Sequence, residues 1–236
     1  MAEPTQSPPA DATIPPTTIS LRVPSKYLPS SSKPAPPTTT SDAFVAPPLD
    51  WLRRTWSVTH STLSMWRSSK NVRITYAPYK PASSSSSPPP HPGTNDNIVE
   101  YEKKDGKGGV KSVVGVEKPD PVVPAAWKWR GKGLLTIASS YWEVMGWGER
   151  PLPGGAGGGD GDGDIERWAV TWFAPTLFTQ EGIDIYSDRK EGLSRETTEE
   201  IIKALKELKD APKLVDLVEK LMQEVEISLP WKESGN

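Results

Sequence analysis

Between residues 56 and 187 the sequence alternates apolar and polar residues in short runs, and no helical pattern separates these runs. In the first run Trp56, Val58 and His60 alternate with small polar residues, which is the period of a strand with one buried face. Clusters of Gly, Pro, Ser and Asp between the runs indicate turns. The predicted strands lie at residues 56–61, 71–76, 97–103, 110–116, 126–130, 134–147 (one long strand or two shorter ones), 167–173 and 182–187. A succession of strands without intervening helices favours an antiparallel sheet over a parallel α/β fold.

The period changes to 3.6 near the C-terminal end, where two amphipathic helices are predicted. Thr197 and Glu200 have the spacing of a capping box at the start of the first helix. The apolar stripes are Ile201, Ile202, Leu205 and Leu208 in the first helix, and Leu214, Leu217, Val218, Leu221 and Val225 in the second. The chain is therefore predicted to be mainly β: a lipocalin-like antiparallel up-and-down barrel with C-terminal helices. A two-layer α+β cone is the alternative.

Composition divides the chain into one folded unit and its tails. Pro, Ser, Thr and Ala dominate residues 1–47, and such a tract cannot bury enough apolar surface to offset its chain entropy, so we expect a disordered tail there. The barrel with its helices is predicted for residues 48–228, with flexible loops at 81–96 and 153–164. Residues 229–236 are expected to form a second tail.

Charge and composition argue against several classes of function. The net charge is −2, without the positive excess that nucleic acid or an anionic membrane would require. The chain has no cysteine and only two histidines, so we expect neither a metal site nor a cofactor. No secretory signal pattern is present, and no apolar run approaches the ~20 residues of a membrane span, so we expect a cytoplasmic protein.

Five motifs of the chain resemble a fungal lipocalin/calycin-like family. They are W-x-V-T-H-S-T-L-x-M-W-R (56–67), N-V-R-I-x-Y (71–76), W-K-W-R-G-K-G (127–133), Y-W-E-V-M-G-W-G (141–148) and T-L-F-T-x-x-G-I-D-I-Y-S (176–187). The resemblance covers residues 51–187 and implies a barrel with an internal cavity. It does not imply a ligand, because fold does not fix function.

The chain has ten tryptophans, many of them on predicted strands. Indole rings at alternate strand positions could line an apolar cavity inside the barrel. They could equally fill the barrel completely, because eight strands enclose just enough room for side chains. The candidate wall residues are Trp56, Trp127, Trp129, Trp168 and Trp172.

Few polar residues are candidates for an interior role. His60 is expected on the face of Trp56, either as a polar anchor for a ligand or as a histidine satisfied by neighbouring backbone. Arg130 is expected at the rim, as a latch over Trp56 or as a partner for a ligand carboxylate. Strand alternation is expected to place Glu143 and Asp184 in solvent.

Three functions remain open at this point. The first is non-catalytic binding of a small apolar ligand by Trp56, His60, Trp127, Trp129, Arg130, Trp168, Trp172 and Tyr186. The second is a cofactor-free isomerase or cyclase of small-molecule metabolism, with His60 or Tyr186 as acid or base. The third is an interaction or structural protein with a filled barrel, whose Pro-rich tail binds partner domains.

Overall fold

Eight antiparallel strands close into a barrel in the computed structural model, which describes residues 17–28, 44–81, 91–152, 165–177 and 179–233. The strands are β1 (Thr55–Ser61), β2 (Ser69–Pro78), β3 (Asn95–Lys103), β4 (Val110–Pro119), β5 (Ala126–Gly131), β6 (Ser139–Pro151), β7 (Ile165–Phe173) and β8 (Gly182–Ser187). Each strand pairs with the next along the chain, and β1 pairs with both β2 and β8. The predicted up-and-down barrel is confirmed, and its closure excludes the α+β cone.

A short ninth strand completes the seam of the barrel. β1 and β2 pair only where Thr55, Trp56 and Ser57 lie opposite β2. Where the two strands separate, β9 (Gln223–Glu224) pairs with β1, and Glu226 just after it forms a β-bridge to Lys70 of β2. The C-terminal segment thus satisfies backbone groups of both strands that would otherwise lack partners.

Among the described residues, three α-helices flank the barrel: α1 (Leu49–Leu52), α2 (Arg195–Lys206) and α3 (Pro212–Leu221). The N-cap of α2 is Ser194, whose side chain accepts a hydrogen bond from the Thr197 backbone N–H. Thr197 is therefore inside the helix, and the predicted capping box was wrong at that position. Val225, predicted on the stripe of the second helix, lies beyond α3 in the seam. Within the described part of the chain, no helix is long and apolar enough to cross a membrane.

The buried apolar side chains form two clusters on opposite faces of the sheet. The interior cluster comprises Trp51, Leu52, Trp56, Val58, Trp66, Val72, Ile74, Tyr76, Trp127, Trp142, Val144, Trp147, Ala169, Tyr186 and Val225. The outer cluster comprises Met145, Trp168, Val170, Trp172, Ile183 and Ile185 of the strands with Ile201, Leu205, Leu208, Ala211, Leu214 and Val218 of the helical region. Strands β6 to β8 are therefore buried on both faces, because the apolar stripes of α2 and α3 pack on their outside.

Residues 17–28, predicted within the disordered tail, lie instead along the outside of β6, and we call them the strap. The backbone N–H of Arg22 donates to the Met145 carbonyl at 2.8 Å. The buried carboxylate of Glu143 accepts from the backbone N–H of Ser25 at 3.1 Å and lies 3.4 Å from the Arg22 guanidinium. Apolar strap residues also pack on the outer cluster, among them Leu21. These contacts offset the loss of chain entropy that ordering this segment requires, which its composition alone did not predict.

Replacing Glu143 with alanine is expected to release the strap. The change removes the acceptor of the Ser25 N–H and the carboxylate that pairs with the Arg22 guanidinium, which keeps only its hydrogen bonds to the Val144 and Ala125 carbonyls. Losing one partner of a largely buried pair costs about 3–5 kcal/mol. Tryptic cleavage after Arg22 and Lys26 should accelerate, which mass spectrometry of a digestion time course can measure. The matched change at exposed Glu191 should leave cleavage as in the wild type, and equal cleavage rates in both variants would contradict the assignment.

The remaining predicted loops and tails fall partly outside the described residues. Residues 1–16, 29–43, 82–90, 153–164 and 234–236 lie there. The predicted loop at 81–96 overlaps β3, which begins at Asn95. The predicted tail at 229–236 includes Trp231, whose ring lies 5.1 Å from the Arg73 guanidinium, so this part packs on the outside of β2.

Candidate functional site

The register between β1 and β8 decides where His60 lies. Val58 is opposite Tyr186, the register then shifts, and His60 is opposite Ile185. Residues directly opposite each other in an antiparallel pair share a face, and Ile185 belongs to the outer cluster. His60 is therefore on the outer face near Glu224, because the bulge reverses the alternation of β1. Burial lowers the pKa of His60, and the nearby Glu224 carboxylate opposes that shift.

Trp168 and Trp172 also lie outside the barrel. Trp172 is opposite Ile183, and both belong to the outer cluster, as does Trp168. The interior face of β7 carries Ala169 and Phe173 instead. The expected inward direction of these two tryptophans does not hold, because β7 is apolar on both faces and alternation alone could not choose between them.

One end of the barrel interior is filled by three tryptophans. Trp51 enters from α1, and its ring lies 5.1 Å from Trp56 and 4.7 Å from Trp147. The Trp56 indole N–H donates to the Leu52 carbonyl at 2.9 Å. Tyr186, another predicted site residue, packs 6.4 Å from Trp56. We call this packed region the plug.

An apolar cavity of about 100 Å³ lies beside the plug. It is lined by Ile74, Tyr76, Asn97, Val99, Glu117, Trp129, Ser140, Trp142 and Phe173. Trp142 is the centre of its aromatic wall: its ring stacks on Trp127 at 4.6 Å and on Tyr76 at 5.4 Å, and lies 6.3 Å from Phe173. Flat rings of this kind favour a flat apolar occupant.

Trp129 forms one side of the cavity and is held there by two neighbours. Its indole N–H donates to Asn97 Oδ1 at 3.0 Å. The ring lies against Gly115, where an added Cβ would come 2.1 Å from the indole nitrogen. Any larger residue at position 115 would have to displace the ring, so glycine is required by this close approach.

A surface groove of about 560 Å³ opens beside the cavity, at the end of the barrel where β5 joins β6. It is lined by Lys128, Trp129, Ile137, Ser139, Ser140, Tyr141, Ala174, Pro175, Thr176 and Leu177. Trp129 and Ser140 border both spaces, so we call them the doorway. Ile137 and Leu177 on the rim are 84% and 97% exposed, which gives the groove an apolar border.

Arg130 lies on the surface near this rim and not in the cavity. Its Nε donates to the Thr136 carbonyl at 3.0 Å, within the β5–β6 connection. The cation over the interior tryptophans is Arg54, whose guanidinium lies 5.4 Å from Trp51 and 5.5 Å from Trp56 at the plugged end. The latch that sequence reasoning assigned to Arg130 is thus made by a different arginine.

Glu117 is the buried acid of the cavity wall, only 2% exposed. Its Oε1 accepts a hydrogen bond from the Trp142 indole N–H at 3.0 Å. Its Oε2 has no hydrogen-bond partner among the described residues. Burial raises the pKa of Glu117 well above its ordinary value, and the Trp142 hydrogen bond only partly opposes that rise.

Asp184 and Glu143 are both buried, so the expectation that they face solvent was wrong. Asp184 is 1% exposed and faces the interior, opposite Ser61, whose hydroxyl donates to it. Burial raises the pKa of Asp184 to about 7, and the neighbouring Ser61, Trp66 and Arg67 oppose the rise. Glu143 lies on the outer face, under the strap.

Sequence reasoning found part of the wall and missed its polar group. Of the predicted site residues, Trp129 borders the cavity, Trp127 stacks behind it, and Trp56 and Tyr186 lie in the plug. Glu117 was missed because it precedes Lys118 and Pro119 in what looks like a polar strand end. The signal that could have found this region was Gly115, since glycine within a strand marks a close approach.

Comparisons with known proteins give no family. No protein-family model and no curated protein matches the chain. Solved structures with similar folds include lobster apocrustacyanin A1, at 10% identity and a TM-score of 0.42 over 75% of this chain and 77% of that one. Apocrustacyanin C1 (11% identity, TM-score 0.43, 75% and 77%) and apocrustacyanin C2 (10%, 0.42, 75% and 78%) are similar to the same degree. Likeness at this level transfers no function.

The fold and the site thus define a closed antiparallel barrel, lipocalin-like in plan, with one plugged end and an apolar cavity that shares Trp129 and Ser140 with a groove. In the described ranges, no three His, Cys, Asp or Glu side chains are grouped so that they could hold a metal ion.

Proposed function

We propose that the protein binds a small, flat, apolar molecule without catalysis. One ring of the ligand would lie in the cavity against Trp142, and the remainder would lie in the groove. The observation that supports this proposal is the doorway, because Trp129 and Ser140 border both spaces. Binding sites for small molecules are typically concave and apolar with a few placed polar groups, which describes this arrangement.

The volumes set the size of such a ligand. A cavity of about 100 Å³ accommodates at most one aromatic ring, since the dry engineered cavity that binds benzene is larger, at ~150 Å³. The groove of about 560 Å³ lies within the ~300–1,000 Å³ of ordinary ligand pockets. A ligand with one ring and a second apolar portion would use both spaces.

The other two hypotheses receive less support. Neither His60 nor Tyr186 borders the cavity, and burial raises the pKa of Tyr186 well above its ordinary value, so its hydroxyl is a poor acid or base near neutral pH. A filled barrel describes the plug but not the cavity beside it. A fungal origin and a cytoplasmic location stay predictions from the sequence.

Replacing Ser140 with phenylalanine is expected to block the doorway. The test uses N-phenyl-1-naphthylamine, a neutral two-part aromatic probe whose fluorescence increases in apolar surroundings. The wild type should bind it saturably, and the Ser140→Phe variant should bind at least about tenfold more weakly, a loss of about 1.4 kcal/mol of binding free energy. Fluorescence titration measures both affinities.

The matched control is Ser112→Phe, which places the same ring on the exposed outside of β4. Its affinity for the probe should equal that of the wild type. The proposed function is overturned if the wild type shows no saturable binding, or if Ser140→Phe binds the probe as the wild type does.

A further inference from the structure

The free carboxyl oxygen of Glu117 gives the cavity a specific polar requirement. Oε2 makes no hydrogen bond within the described part of the chain, although the side chain borders the cavity and is 2% exposed. A buried polar atom without a partner is unfavourable, and native proteins rarely leave one. A ligand acceptor in the cavity would give this atom a partner.

The indole of Trp142 determines whether that oxygen donates or accepts. An indole nitrogen can only donate, so Oε1 must accept its hydrogen bond. The carbonyl oxygen of a neutral carboxyl group is the better acceptor, which places the proton on Oε2. The raised pKa of Glu117, caused by burial, supports the neutral form.

Two other polar residues of the wall have different surroundings. Asn97 Oδ1 accepts from the Trp129 indole N–H at 3.0 Å. Ser140 lies at the doorway, where the cavity meets the groove. Among the side chains that line the cavity, only Glu117 has a buried polar atom, Oε2, without a hydrogen-bond partner in the described residues.

We propose that the cavity selects neutral ligands whose enclosed ring carries a hydrogen-bond acceptor, such as a ring ketone, and that Glu117 Oε2–H donates to this acceptor. The inference rests on the proposed function, because it specifies the ligand of the same cavity. It predicts discrimination between molecules of equal shape, since an unpaired buried donor rejects an analogue that lacks the acceptor.

Three probes that share the indane skeleton test whether the cavity prefers a ligand with a hydrogen-bond acceptor. Each is measured by displacement of N-phenyl-1-naphthylamine from the full chain. Indane has no polar atom, 1-indanone adds a ketone, and 2-aminoindane adds a cation at neutral pH. The wild type should bind 1-indanone about three- to tenfold more tightly than indane, as one net hydrogen bond allows. It should bind 2-aminoindane most weakly, because a neutral acid cannot compensate the cost of burying a charge.

Two variants attribute the preference to Glu117. In Glu117→Gln the amide oxygen still accepts from Trp142, so the NH₂ group points to the cavity as a donor, and the preference for 1-indanone should persist. In Glu117→Leu the preference should disappear while indane still binds. The conservative Gln variant keeps the test decisive if the Leu variant folds poorly.

The outcomes separate the two proposals. If the fluorescent probe binds and indane displaces it, but 1-indanone is no better than indane, the inference fails and the proposed function stands. Tightest binding of 2-aminoindane would mean an ionised carboxylate and would also overturn the inference, as would loss of the preference in Glu117→Gln. If the probe binds saturably but neither indane nor 1-indanone displaces it, the inference fails, and the proposed function is decided by the Ser140→Phe comparison alone.

Discussion

Replacing Trp142 with alanine is expected to lower the free energy of unfolding by about 4–5 kcal/mol. Trp142 is 1% exposed and contacts the rings of Trp127, Tyr76 and Phe173, so its removal leaves a cavity that the closed barrel cannot collapse to fill. The change also removes the indole N–H that donates to Glu117. Urea unfolding followed by circular dichroism measures the loss.

Two further variants separate the causes of this loss. Trp142→Phe keeps an aromatic ring but loses the donor to Glu117, and we expect it to cost about 1–2 kcal/mol. Trp231→Ala removes the same side chain from a half-buried position beside Arg73 and Lys190, where its cation–π contacts are worth about 1 kcal/mol. A loss in Trp142→Ala no larger than in Trp231→Ala would show that Trp142 is not the centre of the interior packing.

The order of strands could be predicted because local pattern and connectivity agree. Each strand pairs with its sequence neighbour, so alternation and turn signals were sufficient to derive a meander. The seam could not be predicted. It depends on β9 (Gln223–Glu224), a two-residue strand far along the chain, and on Lys70 of β2, and no local period marks either.

The direction of side chains was harder to predict than the strands themselves. Register shifts interrupt β1 between Val58 and His60, and β6 between Val144 and Gly146. An inserted residue moves every later side chain to the opposite face, and sequence alternation contains no sign of it. His60 was assigned to the interior for this reason.

Burial on both faces explains the other errors about the site. The strands under α2 and α3 have no solvent face, so the rule that polar residues point outward fails there. Asp184 alternates with Ile183 and Ile185, and the isoleucines take the outer face beneath the helices. The acid is therefore the inward residue, and its burial has a measurable consequence.

Replacing Asp184 with asparagine is expected to flatten the pH dependence of stability. The pKa of this carboxyl is about 7 in the folded protein against an ordinary 3.8. Between these values the folded protein holds a proton that the unfolded chain has released, so the free energy of unfolding falls as pH rises, by up to about 1.4 kcal/mol per pH unit.

Asparagine cannot ionise and its carbonyl can still accept from Ser61. The variant should match the wild type within about 1 kcal/mol at pH 4 and exceed it by about 3–4 kcal/mol at pH 8. Glu117 contributes a slope of the same sign, so some decline should remain.

An acid at the edge of the barrel, Asp120, supplies the control of opposite sign. Burial alone would raise the pKa of Asp120, but hydrogen bonds from the N–H groups of Val122 and Val123 and the charge of Lys128 lower it. Its contribution to stability is present at neutral pH and is lost as pH falls through the folded pKa, so Asp120→Asn should weaken the fold at pH 7 and converge with the wild type in acid. Urea unfolding from pH 3 to pH 8 compares the variants. A profile of Asp184→Asn parallel to that of the wild type between pH 4 and pH 8 would mean that this carboxyl is not buried inside the barrel, because a solvated aspartate titrates alike in the folded and the unfolded chain and adds no slope.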